Sequence, residues 1–233
     1  MTEPADQEAA GRTIAIGDIH GCSAALDVLL RELSLTATDT VIVLGDVVDR
    51  GPDTKGCIDR LLELKHEARF LHIMGNHEEM MLDAYVGGPW ANAWLRYGGQ
   101  EMLDSYGGSF DAIPEEHLDF IRSGMDFFAT GNAIFAHAAI NPAQTMEQQT
   151  VHFLRWNRIV GNEPPHVSGR PIVCGHTAQP SGRPLVFDGW CCVDTCVYGP
   201  SGALSALAVE ENLIYRSCQH GEFLGIEPAS DFT

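Results

Sequence analysis

Cations are scarce in this sequence: 14 lysines and arginines stand against 32 aspartates and glutamates, for a formal charge of −18 over 233 residues. That balance repels a polyanion over most of the surface, so no nucleic-acid partner is expected. A small anionic substrate stays open, provided local cations dominate inside one pocket. Long apolar runs are missing too. None approaches the roughly 20 residues that span a bilayer, and no membrane partner is expected. The opening MTEPADQEAAG has neither the basic nor the apolar part of a secretion signal, so residues 1–11 read as a disordered acidic tail before a cytoplasmic domain. Paired CxxC motifs are also absent. The seven cysteines (22, 57, 174, 191, 192, 196 and 218) are odd in number and lack framework spacing, which reads as reduced, mostly buried side chains.

What is present suits one globular domain over residues 12–233: 45% of the chain is hydrophobic and 20% charged. The first third repeats one phrase three times. RTIAIGD ends at Asp18, TVIVLGD at Asp46 and RFLHIMGN at Asn76, each a β-prone run closed by glycine and then Asp or Asn. Helical patterns lie between, over 23–33 and 54–64. Spacings of 28 and 30 residues between the closing polar residues are those of successive βαβ units. Parallel strands emerge at a common carboxyl edge, where open α/β sheets bind ligands. Asp18, Asp46 and Asn76 should therefore meet.

From 87 to 125 the glycine-punctuated segment predicts short helices inserted over that edge, with Trp90 and Trp94 as internal packing. From 127 on, short apolar runs over 127–129, 133–136, 172–174, 185–187, 191–193, 204–209 and 213–215 read as a second, largely antiparallel sheet.

The polar residues that follow strand ends form a set: Asp18 and His20 in GDIHG, Asp46, Asp49 and Arg50 in GDVVDRG, Asn76 and His77 in GNHE, His137 in FAHAA, and His176 in VCGHT. A lone strand-end histidine such as His137 is more often a hydrogen-bonded core residue. Four phrases in order are another matter. The chain resembles the calcineurin-like metallophosphoesterases of the phosphoprotein phosphatase family, most of all the short bacteriophage and bacterial serine/threonine phosphatases. The likeness runs from Ile14 to about Val209 and extends to GNHEEMMLDA, WLRYGG and LRWNR.

The resemblance implies an α/β fold, a sandwich of two mixed sheets flanked by helices. It also implies hydrolysis of phosphoserine or phosphothreonine, with phosphotyrosine and small phosphate esters as further substrates, by a hydroxide bridging two divalent metals. Asp18, His20 and Asp46 would hold one metal; Asp46, Asn76, His137 and His176 would hold the second. Oxygen and imidazole donors without thiolate suit Mn, the first expectation, or Fe or Zn. Arg50 and, by its place in LRWNR, Arg158 would bind phosphate through their forked donors, with Asn76 beside them. Arg155 is expected to be solvated.

His77 would be the general acid, with Asp49 orienting its ring and raising its proton affinity. Glu78 and Glu79 read as acids complementing a helix dipole, and Met80 and Met81 as packing. Ala138-Ala139 and Cys196 stand where relatives often carry glycine, and Cys22 is a buried thiol or an oxidation-sensitive one. Two alternatives remain: a symmetrical dinucleoside tetraphosphate hydrolase, disfavoured by Glu78 where such relatives usually carry Asp, and a phosphoprotein-binding pseudophosphatase.

Overall fold

The computed structural model describes residues 11–233, so the tail expected over 1–11 lies, but for Gly11, outside the described residues. Its strands are β1 (Thr13–Ile16), β2 (Thr40–Val43), β3 (Arg69–His72), β4 (Phe127–Ala129), β5 (Ile134–Ala136), β6 (Ile172–Cys174), β7 (Leu185–Phe187), β8 (Trp190–Cys192), β9 (Leu204–Ala208), β10 (Leu213–Ser217) and β11 (Phe223–Pro228). The helices are α1 (Ser23–Leu33), α2 (Thr54–Leu64), α3 (Asn76–Tyr85), α4 (Ala91–Trp94), α5 (Gln100–Ser105), α6 (Glu115–Arg122) and α7 (Val151–Trp156). A π-helical turn, Leu95–Gly99, joins α4 to α5. No helix among the described residues is long and apolar enough to cross a membrane.

The strands form two mixed sheets, in the orders β11-β10-β9-β1-β2-β3 and β4-β5-β6-β8-β7. In the first, β1, β2 and β3 are parallel, as their spacing predicts. Alternation along each strand sorts the core. Ile14, Ile16, Val41 and Val43 face the helices, whereas Ala15 and Ile42 face the other sheet and meet Phe135 and Val173. Beyond the second sheet, Ile134, Ala136 and Ile172 pack under Leu154 and Ile159. The layers are therefore helix, sheet, sheet and an outer cover around α7.

The expectation of a largely antiparallel second sheet is corrected in two ways. β9 and β10 belong to the first sheet, where β9 pairs antiparallel with β1. The second sheet has a parallel centre, β5-β6-β8, with antiparallel strands only at its edges. A short apolar run announces a buried strand but not its partner. All five residues of β9 are buried, which a place beside β1 satisfies on both faces.

Candidate active site

Each sheet thus contributes three parallel strands, and their carboxyl ends meet. Asp18 and His20 follow β1; Asp46, Asp49 and Arg50 follow β2; Asn76 and His77 open α3 just after β3. From the second sheet come His137 after β5, His176 after β6 and Asp194 after β8. A cavity of about 340 Å³ is lined by Asp18, His20, Asp46, Asn76, His77 and His176, with Arg50, Arg158 and Asp194. His137 lies behind it, fully buried.

The backbone at these loops is unusual. Eight described non-glycine residues have positive φ, and five of them (His20, Asp46, Asp49, Arg50 and His176) belong to the site. Conformations of this kind cost on the order of 1–3 kcal/mol each and need external support. Glu78 gives much of it. Its carboxylate, fully buried, accepts from the backbone N–H groups of Asp46 (2.8 Å), Val47 (2.7 Å) and Gly75 (2.9 Å). Burial pushes its pKa up, but His72, His137 and these donors outweigh that and leave it lowered. Glu78 therefore braces the turn after β2, which corrects its reading as a simple first-turn acid.

The donor set fits metal ions. A carbonyl only accepts, so His137 Nδ1, 2.9 Å from the Leu44 carbonyl, carries a proton, as does His176 Nε2, 3.0 Å from that of Trp156. The facing nitrogens, His137 Nε2 and His176 Nδ1, are then bare lone pairs only 3.2 Å apart. Asn76 turns its Oδ1 to within 3.0 Å and 2.8 Å of them. Three acceptors converging without a proton call for a cation.

Asp46 spans two such groups. Oδ1 is 3.5 Å from His137 Nε2, and Oδ2 is 3.6 Å from His20 Nε2, whose Nδ1 donates to the Val48 carbonyl. Asp46, His137 and His176 bring their ligand atoms within 4.8 Å of one another, and so do His20, Asp46 and His77. Sequence reading puts Asp18, not His77, with His20. Asp18 lines the same cavity and accepts from the His176 backbone N–H at 3.2 Å. Gly75 and Gly175 allow this crowding: a Cβ on either would lie 2.1 Å from an oxygen of Asp46 or Asp18, respectively.

Electrostatics point the same way. Burial, then the charges of Asp194 and Asp46, push the Asp18 carboxyl well above its usual range, and burial takes Asp46 to about 7. Burial lowers His137 to about 4 and His176 to about 3, so both rings are neutral, the form that ligates metal.

His77 sits between Asp49 and Arg50. Its Nδ1 donates to Asp49 Oδ2 at 2.6 Å, and Arg50 Nη2 donates to its Nε2 at 3.0 Å. Asp49 is fully buried and also accepts from Trp94 Nε1 at 3.0 Å on both oxygens. Burial of the His77 ring comes first and lowers its pKa, the charge of Asp46 only partly opposing and Arg50 adding to the fall.

Other expectations also change. Arg155 is not solvated: it is largely covered and bridges Glu79 and Asp126. Trp94 packs in the core as read, and its indole N–H holds Asp49 as well. Trp90 is not internal packing; it is partly exposed and lines the cavity. Cys22 is buried, with its thiol pushed up to about 12 by burial, which makes it an unreactive thiol. Sequence reading missed Asp194 and Tyr198. Tyr198 hydrogen-bonds Arg50 through its hydroxyl and lies under the guanidinium, 4.5 Å from carbon to ring centroid. Asp194 closes an apolar run, Trp190 to Val193, in the manner of Asp18 and Asp46, and that signal was available.

Comparison with known proteins agrees with this arrangement. The family model for calcineurin-like phosphoesterases matches residues 11–194, and the chain belongs to that family, whose members use divalent metals. It is 41% identical over 85 residues to serine/threonine-protein phosphatase 1 of Salmonella typhimurium, covering 36% of this chain and 37% of that protein. With a symmetrical bis(5'-nucleosyl)-tetraphosphatase of Janthinobacterium it shares 30% over 144 residues, 61% of this chain and 48% of the relative. These matches take in less than half the length of either relative. A cold-active protein-tyrosine phosphatase of a Shewanella species has a similar fold, with a TM-score of 0.66 at 19% identity over 93% of this chain and 81% of its own.

Proposed function

We propose that the chain is a binuclear-metal phosphomonoesterase acting on phosphorylated serine or threonine side chains and small phosphate esters. The observation that carries this reading is the proton-free meeting of Asn76, His137 and His176 at the wall of a cavity that His77, held by Asp49, and two arginines also line. Asp18, His20 and Asp46 would hold one ion, and Asp46, Asn76, His137 and His176 the other, with Mn the first candidate for both. When bound, the ions supply charge neutralisation and activation of the attacking water.

The side chains do the rest. Arg50 and Arg158 clamp the phosphoryl oxygens. In drawing Arg50 toward phosphate, the substrate frees His77 Nε2 to carry a proton. Asp49 holds Nδ1–H, so Nε2 faces the leaving oxygen and protonates it. Substitution of His77 by Asn should lower kcat by about 10²–10⁴-fold while both ions still bind. Unchanged turnover would remove His77 from the acid role.

The dinucleotide reading keeps a specific support, the Janthinobacterium relative. The sequence argument against it weakens, because Glu78 is buried behind the loop and does not line the cavity. Rates on a phosphoserine peptide and on diadenosine tetraphosphate, measured together across Mn, Fe and Zn, decide between them. A higher kcat/KM on the peptide is expected, and a clear preference for the dinucleotide overturns the proposal.

A further inference from the structure

Part of the cavity lining has no role in the chemistry above. Trp90, Tyr97 and Trp156 line it beside Arg50 and Arg158. Trp156 is held in place: its carbonyl accepts from His176, and Trp90 stacks on its ring at 5.4 Å between centroids and 26° between planes. The Trp90 backbone N–H donates to Asp83 at 2.8 Å, which fixes the start of the segment. Both Trp90 and Tyr97 nevertheless remain open, 43% and 54% exposed. Single exposed aromatics are ordinary on a protein surface. Two of them, on the same cavity as two phosphate-competent arginines, are not scattered. Each leaves apolar area in water that a ligand ring would cover.

We propose that Trp90, with Tyr97, is a stacking platform for an aromatic ring carried by the phosphate ester, so that the site favours aryl-bearing phosphomonoesters over alkyl ones. The proposal rests on the phosphomonoesterase reading alone, and within it ranks aryl esters above the phosphoserine and phosphothreonine esters, which are alkyl. At about 340 Å³ the cavity lies at the small end of ligand pockets, a size suited to one ring and one phosphate. A phosphotyrosine side chain supplies both on one oxygen; a nucleotide base is the other source of a ring. Aromatic pairing adds roughly 2- to 12-fold in affinity beyond area burial.

The test is binding of phenylphosphonate and methylphosphonate to the full chain loaded with Mn, followed by calorimetry. Phenylphosphonate should bind about 3- to 10-fold more tightly. Trp90→Ala, checked for folding by circular dichroism, should erase that ratio, and Leu95→Ala, which lies outside the cavity lining, should keep it. Equal affinity for the two phosphonates, or a ratio that survives Trp90→Ala, overturns the platform. Displacement of phenylphosphonate by phosphotyrosine or by adenosine monophosphate, weakened in Trp90→Ala, supports the platform and identifies the ring; displacement by neither overturns it. Turnover of 4-nitrophenyl phosphate on the same preparations separates the two claims. Ring-dependent binding without turnover refutes the phosphatase reading alone, and turnover without ring preference refutes the platform alone.

Discussion

At the scale of single residues, the most informative contact is the indole of Trp94 on Asp49. Asp49 carries a carboxylate with no solvent access, and burial raises its pKa well above the usual range. His77 and Trp94 are its side-chain donors among the described residues. Trp94→Phe would keep the stacking on Phe110, 5.3 Å between centroids, and remove only the N–H. A positioning role predicts a fall in kcat of about 10- to 100-fold with KM and metal affinity unchanged. Steady-state kinetics together with metal titration checks it; a loss in KM alone would mean that the indole acts only by packing. The residues that do chemistry were legible because their types follow strand ends in an ordered set. Trp94 was not. Aromatic spacing along a helix reports packing, and nothing in it says that an indole N–H will meet a buried acid 45 residues upstream.

At the scale of elements, the helical segment over 91–105 acts on the turn after β2 through its backbone. The Gly98 carbonyl accepts from Arg50 N–H at 3.1 Å, and its own φ is 114°. A Cβ there would lie 2.4 Å from the Arg50 nitrogen. Gly98→Ala must therefore strain its own backbone and push against Arg50, whose φ is already 69°. The expected cost is about 1–3 kcal/mol in urea unfolding, with a raised KM for phosphate esters as Arg50 shifts. Wild-type values for both would show that the turn tolerates the intrusion. The elements themselves were mostly visible in the sequence, because alternation and glycine mark strands well. Their partners were not: β9 and β10 follow the second sheet in the chain yet join the first, β9 beside β1 and β10 beside β9, a choice set by long-range burial that no local pattern carries.

At the scale of the whole molecule, the charge balance tells where cations matter. The chain carries a formal −18, and five carboxylates (Asp18, Asp46, Asp49, Glu78 and Asp194) are buried around one cavity. Desolvation of this cluster opposes folding, and bare imidazole and amide lone pairs converge on the same point. Ions that bind the folded chain and not the unfolded one stabilise it by about 2.7 kcal/mol per site at 100 times Kd. For a domain of this size each kcal/mol moves Tm by roughly 2–4 °C. Filling two independent sites with Mn should therefore raise Tm by about 10–20 °C over the chelator-treated protein. Asp46→Asn touches both groups of ligands and should abolish most of that shift, whereas an exposed acid such as Glu115 should not matter. Differential scanning calorimetry at fixed protein concentration measures both. A full Mn-dependent shift in Asp46→Asn would mean that the two ions, if both bind, do not share this carboxylate.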